Sequence, residues 1–358
     1  MSKKKRNKTF YNKSAKGASK PLSITPDFDK ITVPPNSIGL FILDLDNTLT
    51  DTMDFWGEAT EQMLRAIHDM RGVPMDELHD MVKNANAQYL FGNGNGLIRQ
   101  LSKKPAMKPY LPESVYVTRY QDNIAGDVWA KVQKTKAHFF PGVSDFLLEA
   151  RARDIPLIID TDAEQSSVIL RMWHLCNNAV KEDPAFAGWR PDEVLGLFSA
   201  FYTQQNDKKN KDDARVLYYV DPCFISQFKH HAQTWPKGNY KPSNDHAKKI
   251  IADLGVNKDQ VMMIGDTHKD AGTVRPENGD GFSAYFGLAH YGMHIDDRTQ
   301  DLQNILGSAS FKYGPKAVFN EMSKMGIEAD IILQESIAGT IPYMKPGSQK
   351  LEEKPKAP

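Results

Sequence analysis

The sequence is poor in cysteine and has no long apolar run. Two cysteines among 358 residues, Cys176 and Cys223, cannot build a disulfide framework, and there is no CxxC pair. No stretch approaches the roughly 18 apolar residues that a membrane-spanning helix needs. The first residues carry no apolar segment of the secretory type. The ten histidines are scattered, and the one adjacent pair, His230-His231, is a spacing that a single metal ion seldom uses. These absences argue against a stapled secreted domain, a membrane protein and a zinc site. A cytoplasmic protein in a reducing, intracellular compartment, with no membrane partner, is expected.

Net charge is absent as well, but unevenly so. Lys plus Arg and Asp plus Glu both number 45, yet residues 1–20, MSKKKRNKTFYNKSAKGASK, hold eight bases and no acid. The other 338 residues therefore carry 37 basic and 45 acidic side chains, a net of −8. A tail of this composition cannot bury enough apolar surface to order itself. Residues 1–30 are expected to be a solvated basic tail, with KKKR as a candidate nuclear address or a tether to nucleic acid. Residues 341–358 are expected to be a flexible C-terminal tail.

What is present is a globular composition, 40% apolar and 25% charged, with room for a core. Short apolar runs without alternation recur at Ile38 to Leu43, Ile155 to Ile159, Gly196 to Tyr202, Val261 to Ile264, Phe282 to Phe286 and Ile331 to Leu333. Helical periodicity fills the gaps, as in Trp56, Ala59, Met63, Ile67 and Met70 before Gly72 and Pro74, and in Ala247, Ile250, Ile251 and Leu254. Buried strands separated by helices imply a parallel sheet covered on both faces. About 100 residues lie between the first two strands, far more than one crossover helix needs. The expected organisation is an α/β core over 31–54 and 139–340, a helical insertion over 55–138, and smaller insertions at 204–240 and 294–326.

Polar clusters sit at the carboxyl ends of these runs. FILDLDNTLTDT, Phe41 to Thr52, ends its strand in Asp44 and Asp46; IPLII runs into Asp160-Thr161-Asp162; VMMI runs into Gly265-Asp266 with Asp270 close behind; Lys241 follows the third strand and its insertion. In an open α/β sheet the ligand crevice lies outside those ends. Gathered carboxylates do not stay ionised without a cation. Oxygen-only donors of this number suit Mg²⁺, which shares its shell with substrate phosphate. A lysine and a threonine hydroxyl suit phosphoryl oxygens. One aspartate can attack phosphorus and a second, two residues on, can manage protons.

DLDNT, Thr161 after IPLIID, Lys241-Pro242 and GDTHKD together resemble the four motifs of the haloacid dehalogenase-like (HAD) superfamily. FFPGV and KPSNDHAKKIIADLGV resemble its phosphoglycolate-phosphatase-like branch. The resemblance covers roughly Ile38 to Ala289. It implies a doubly wound, Rossmann-like three-layer α/β core with a helical cap inserted after the first motif. It further implies Asp44 as nucleophile, Asp46 as general acid/base, and Thr161, beside Asp162, on the phosphoryl oxygens. Lys241 would neutralise charge, and Mg²⁺ would be held by Asp44, the Asp46 main-chain carbonyl and Asp266, with Asp270 supporting or ligating. Superfamily members that cleave carbon–halogen bonds lack the second aspartate, so its presence favours hydrolysis of a small phosphomonoester: a sugar phosphate, a phosphoglycolate-like acid or a nucleotide. The alternatives are a phosphatase acting on nucleic-acid ends or another anionic polymer, and an idle fold used as a binding module.

The sequence departs from the resemblance in three places. AGTVRPENGDG brings Pro276 and several glycines after Asp270 and should shorten the helix there. Lys241 lies unusually far from the third strand, with Lys208, Lys209 and Lys211 as alternatives on charge alone. FGNGNGLIRQ, Phe91 to Gln100, reads as a flexible helix–helix connection in the cap, with Arg99 as a candidate anion contact.

Overall fold

The computed structural model describes residues 26–83, 124–205, 216, 219–236, 239–275, 282–293 and 314–347. In chain order the elements are β1 (Leu40–Leu43), α1 (Thr52–Arg71), α2 (Met75–Lys83), α3 (Ile124–Lys136), α4 (Val143–Ala152), β2 (Leu157–Glu164), α5 (Gln165–Glu182) and α6 (Pro191–Leu195). They continue as β3 (Ala200–Gln204), α7 (Pro222–His231), β4 (Ala232–Trp235), α8 (Asn244–Leu254), β5 (Val261–Gly265), α9 (His268–Val274), β6 (Tyr285–Ala289), α10 (Pro315–Lys324) and β7 (Ile331–Leu333). Among the described residues no helix is long and apolar enough to cross a membrane.

The strands form one parallel sheet in the order β4-β3-β2-β1-β5-β6-β7. The chain builds outward from β1 through β4 on one side, then returns to lay β5 against β1 and builds the other way. The topological switch point therefore falls between β1 and β5, where a doubly wound sheet opens a crevice. Strand residues alternate between two cores, which is why the apolar runs do not alternate with polar residues. Phe41, Leu43, Leu157 and Ile159 pack on one side with Phe146, Leu147, Val168 and Leu175. Leu40, Ile42, Ile158, Val261 and Met263 pack on the other with Ala247, Ile250, Ala271 and Val318. This is the doubly wound three-layer α/β architecture that the sequence implies.

The helical patterns fall where the periodicity puts them. Asp51 caps α1, its side chain accepting from the Asp54 N–H at 3.0 Å, and Gly72 ends it in a left-handed conformation at φ 67°. Phe55 and Ala59 of α1 pack with Val132 of α3. In α8 the stripe is buried at Ala247 and Ile250, whereas Leu254, in the last turn before Gly255, is exposed. The Phe91 to Gln100 segment, with Arg99, lies outside the described residues, as do the basic residues 1–25.

Two elements differ from the sequence reading. The run Gly196 to Tyr202 is not all strand: Gly196 caps α6, and the Leu197 and Phe198 N–H groups bond back to Val194 and Leu195 carbonyls at 3.1 Å. Those residues are apolar because the turn itself is buried, and β3 starts at Ala200. Within 204–240, α7 and β4 form a further crossover, and β4 pairs with β3 from Phe201↔Ala232 to Gln204↔Trp235. Its sequence AQTW is short and half polar because it is the exposed edge of the sheet. Of 294–326, α10 packs Val318 and Met322 into the second core. Residues 341–347 lie against the start of β1. The Ile38 N–H bonds Tyr343 O and the Lys345 N–H bonds Ile38 O, both at 2.8 Å, and Met344 is fully buried.

Candidate active site

Register places the acids. Leu43 pairs with Ile159 on β2 and with Ile264 on β5, so Asp44 emerges between the ends of both neighbours, and its N–H still bonds Ile264 O at 2.9 Å. Asp266 follows one residue after β5. Beyond Asp44 the chain turns sharply. Asn47 adopts the left-handed conformation (φ 56°), its N–H bonds Thr50 O at 2.9 Å, and the Thr52 N–H bonds Thr50 O at 2.9 Å. Asn47 also ties the two motifs together, donating to Asp266 Oδ2 at 3.2 Å and accepting from the Met53 N–H at 3.2 Å. The turn is closed from above by Gly292, where a Cβ would lie 1.7 Å from the Asn47 carbonyl oxygen, and by the Tyr291 hydroxyl donating to Thr48 O at 2.6 Å.

Asp270 is the third residue of the short helix α9 and closes a capping box with Thr267. Its Oδ2 accepts the Thr267 N–H at 3.0 Å and hydroxyl at 2.6 Å. Gly265 must lack a side chain for this, because a Cβ there would sit 2.4 Å from Asp270 Cγ. Helix α9 ends at Val274, as short as the residues after Asp270 imply. Carboxylate oxygens of Asp44, Asp266 and Asp270 all lie within 4.8 Å of one another, and all three residues are buried.

Lys241 joins them. Its Nζ donates to Asp44 Oδ1 at 2.6 Å and to Asp270 Oδ1 at 2.7 Å. The distance from β3 that made this lysine doubtful in sequence is taken up by α7 and β4, which carry the chain back to the carboxyl edge. Lys208, Lys209 and Lys211 lie outside the described residues. The loop is fixed from beneath. The Lys241 N–H donates to Asp162 Oδ1 at 3.0 Å, and the Asn239 carbonyl accepts from Gln204 Nε2 at 2.7 Å and faces His246 Nε2 at 3.2 Å. His246 Nδ1 in turn lies 3.2 Å from both oxygens of Asp160, which also accepts from Trp235 Nε1 at 2.8 Å, and the His246 and Trp235 rings stack at 3.9 Å. The Asp162 carboxylate thus holds the lysine loop. Thr161 is buried within β2 beside it, three residues before the strand ends at Glu164, its Oγ1 accepting from the Ala163 N–H at 3.2 Å.

The electrostatics follow from burial. Burial drives the Asp44 carboxyl well above its ordinary range; Lys241 opposes this and Asp270 and Asp266 add to it. Asp266 is raised well above its range for the same reason, with Asp270 as the next cause and the Asn47 hydrogen bond opposing. Burial would lower Lys241, but the Asp270 and Asp44 carboxylates outweigh it and hold the ammonium well above its usual range. Burial also raises Asp162. Three buried carboxylates face one ammonium, so two negative charges are left over. A divalent cation with oxygen ligands fits that surplus in charge and in donor type.

Asp46 stands apart from this cluster. Its Oδ1 accepts the Thr52 hydroxyl at 2.6 Å and an ion-paired hydrogen bond from Arg171 Nη1. The sequence reading assigns no role to Arg171, Asn47, Asp160 or His246. A signal for Arg171 was available: it falls at helical spacing from Val168 and Leu175, on the buried stripe of α5.

A family model of haloacid dehalogenase-like hydrolases matches residues 38–275. A search among curated proteins returns no match. Among solved structures, the chain is similar to a predicted phosphoglycolate phosphatase from Haemophilus somnus 129pt, with 14% identity over 70% of this chain and 85% of that one and a TM-score of 0.40. It is likewise similar to a HAD-superfamily hydrolase, subfamily IA, variant 1, from Geobacter sulfurreducens PCA, with 14% identity over 71% and 87% of the two chains and a TM-score of 0.39. The family match spans β1 to β5, all four sequence motifs and the residues they bring together, and the chain belongs to the haloacid dehalogenase-like hydrolases.

Proposed function

We propose that the protein is a Mg²⁺-dependent phosphomonoester hydrolase that works through an aspartyl phosphate on Asp44. The observation that carries this reading is the contact set of Asp44. A carboxylate held by a lysine and surrounded by buried acids is oriented as a nucleophile, and the separately held Asp46 lies two residues away.

In the first half-reaction an Asp44 oxygen attacks phosphorus, the ester P–O bond breaks, and the leaving oxygen takes its proton from Asp46. In the second, Asp46 takes a proton from water as the water oxygen attacks phosphorus, releasing inorganic phosphate and restoring the Asp44 carboxylate. Lys241 keeps Asp44 oriented and offsets charge on the phosphoryl oxygens, which Thr161 also meets through its hydroxyl. Mg²⁺, held by Asp44, Asp266 and the Asp46 main-chain carbonyl, would supply charge neutralisation for the transferring group. Both Asp270 oxygens are already engaged by Lys241 and Thr267, which favours a supporting role for it.

The substrate class is a small phosphorylated metabolite, and α1, α2 and α3 belong to a cap that selects it. The basic first 20 residues favour a second reading, an anionic polymer as substrate. Phosphate release from a panel of phosphomonoesters, with and without Mg²⁺ and beside Asp44→Asn, tests the proposal. Release that needs both metal and Asp44 is expected; release that survives Asp44→Asn would overturn it. Steep salt dependence that disappears on deleting residues 1–20 would favour the polymer.

A further inference from the structure

Lys241 is fully committed, with Asp44 at 2.6 Å and Asp270 at 2.7 Å from its Nζ. A second cation stands beside the same site on a different element. Arg171, midway along α5, has a side chain only 4% exposed, comparable to the 3% of Lys241. Its guanidinium pairs with Asp46 through Nη1 and lies over the Phe55 ring of α1, 5.5 Å from the centroid. These two contacts fix the plane of the fork. Its Nε is buried and has no hydrogen-bond partner among the described residues.

A guanidinium carries five N–H donors and does not shed its charge. Buried donors almost always meet acceptors. Here the described residues provide the fork with one carboxylate oxygen and leave a buried donor over, so the group is better furnished for an anion than these contacts require. Its position says which anion. In the mechanism above, Asp46 works at the leaving oxygen, while Lys241 and Thr161 face the phosphoryl group. Arg171 touches Asp46, and therefore stands on the leaving-group side.

We propose that Arg171 is a specificity-determining residue that receives a second anionic group of the substrate, a carboxylate or a second phosphate carried on the leaving group close to the ester oxygen. This rests on the phosphomonoesterase reading and deepens it. A second anion that takes the guanidinium competes for the bond now made to Asp46 Oδ1, so binding of such a substrate also frees the acid/base for its proton transfer. A substrate with an uncharged leaving group leaves that bond in place.

The test is a ratio. Phosphate release is measured for matched pairs, 2-phosphoglycolate against ethyl phosphate and a sugar bisphosphate against the corresponding monophosphate, in wild type, Arg171→Lys and Arg171→Met. The ratio of kcat/KM within each protein is independent of how much of that protein is folded. Wild type is expected to prefer the two-anion member of a pair by about 10²-fold, and Arg171→Met to lower that preference by about 10- to 100-fold. Arg171→Lys, with a point charge in place of the fork, is expected to fall between them. If both members of every pair fall together in Arg171→Met and the ratio is unchanged, Arg171 only positions Asp46 and the proposal is overturned. If wild type prefers the uncharged leaving groups, it is overturned as well. If wild type releases phosphate from no member, the phosphomonoesterase reading itself fails, and this proposal with it.

Discussion

The acids and the lysine reach one place by unlike routes. Asp44 and Asp266 are carried by adjacent strands, β1 and β5, paired from Leu40↔Val261 to Leu43↔Ile264, so their positions are fixed by a ladder of main-chain hydrogen bonds. Lys241 arrives from a loop after the edge strand β4, and side chains fix it: Asp162 on its N–H, and Gln204 and His246 on the Asn239 carbonyl. A ladder tolerates the loss of any one side chain. A loop held by a few buried polar contacts does not, because each lost partner leaves another group buried and unsatisfied. Asp44 should therefore be robust to changes around it, and Lys241 fragile.

The largest expected effect comes from removing the lysine itself. Lys241→Met should lower kcat by about 10² to 10³-fold, as loss of one electrostatic group at a reacting centre does. It also leaves Asp44 and Asp270 without their cation, so its melting temperature should become strongly dependent on added Mg²⁺. Wild-type kcat in this variant would remove Lys241 from the site.

Breaking the support beneath the loop comes next. His246→Ala takes a partner from Asp160 and from the Asn239 carbonyl, and should cost about 1 to 3 kcal/mol in denaturant unfolding. Because the lysine moves with its loop, kcat should fall by up to about 10²-fold while the fold persists. A stability loss with unchanged kcat would show that Lys241 does not depend on this anchor.

A smaller effect should appear in pH dependence. The folded pKa values of Asp44 and Asp266 are raised, so between the unfolded value of 3.8 and those raised values the folded protein binds more protons than the unfolded one. Stability of the metal-free protein should therefore fall as pH rises through the acidic range, by about 1.4 kcal/mol for each unit of pKa difference. The raised Lys241 contributes stability that persists below 10.5 and is lost only above it, so it does not mask this slope. Asp266→Asn should flatten the slope measured by thermal unfolding, and Mg²⁺ should do the same in wild type. An equal slope in the variant would contradict the burial argument.

The smallest effect is expected at the cap of α9. Thr267→Ala removes one reciprocal cap and should cost about 1 kcal/mol. Asp270 keeps the Thr267 N–H and Lys241, so kcat should change by only a few-fold. A much larger drop would mean that the hydroxyl, rather than the lysine, orients Asp270.

The same comparison explains what could be read in the sequence. The acids are legible because an apolar run ending in Asp-x-Asp or Gly-Asp is local, and the sheet converts each strand end into a position at the crevice. Lys241 was identified by resemblance, while the reason it can reach the site, β4, was hidden in the short polar run AQTW. Leu197 and Phe198 read as strand because burial makes turn and strand residues equally apolar. Arg171 and Asp160 act through contacts 75 or more residues apart in the chain, Arg171 with Asp46 and Asp160 with Trp235 and His246, and no local pattern encodes such a pairing. The anchoring of residues 341–347 to Ile38 is of the same kind: Met344 ends the short run IPYM beside Lys345, Pro346 and Gly347, and only the fold reveals its burial.

The central claim is that Asp44 itself becomes phosphorylated. The direct measurement is rapid acid quench of the enzyme turning over its best phosphomonoester with Mg²⁺, followed by peptide mapping. A hydroxylamine-labile phosphate on the peptide containing Asp44, missing in Asp44→Asn and accumulating when Asp46→Asn slows its hydrolysis, is the predicted result. Multiple turnovers with no phosphate on that peptide in either the wild type or Asp46→Asn would mean that water attacks the substrate directly, and would contradict the account.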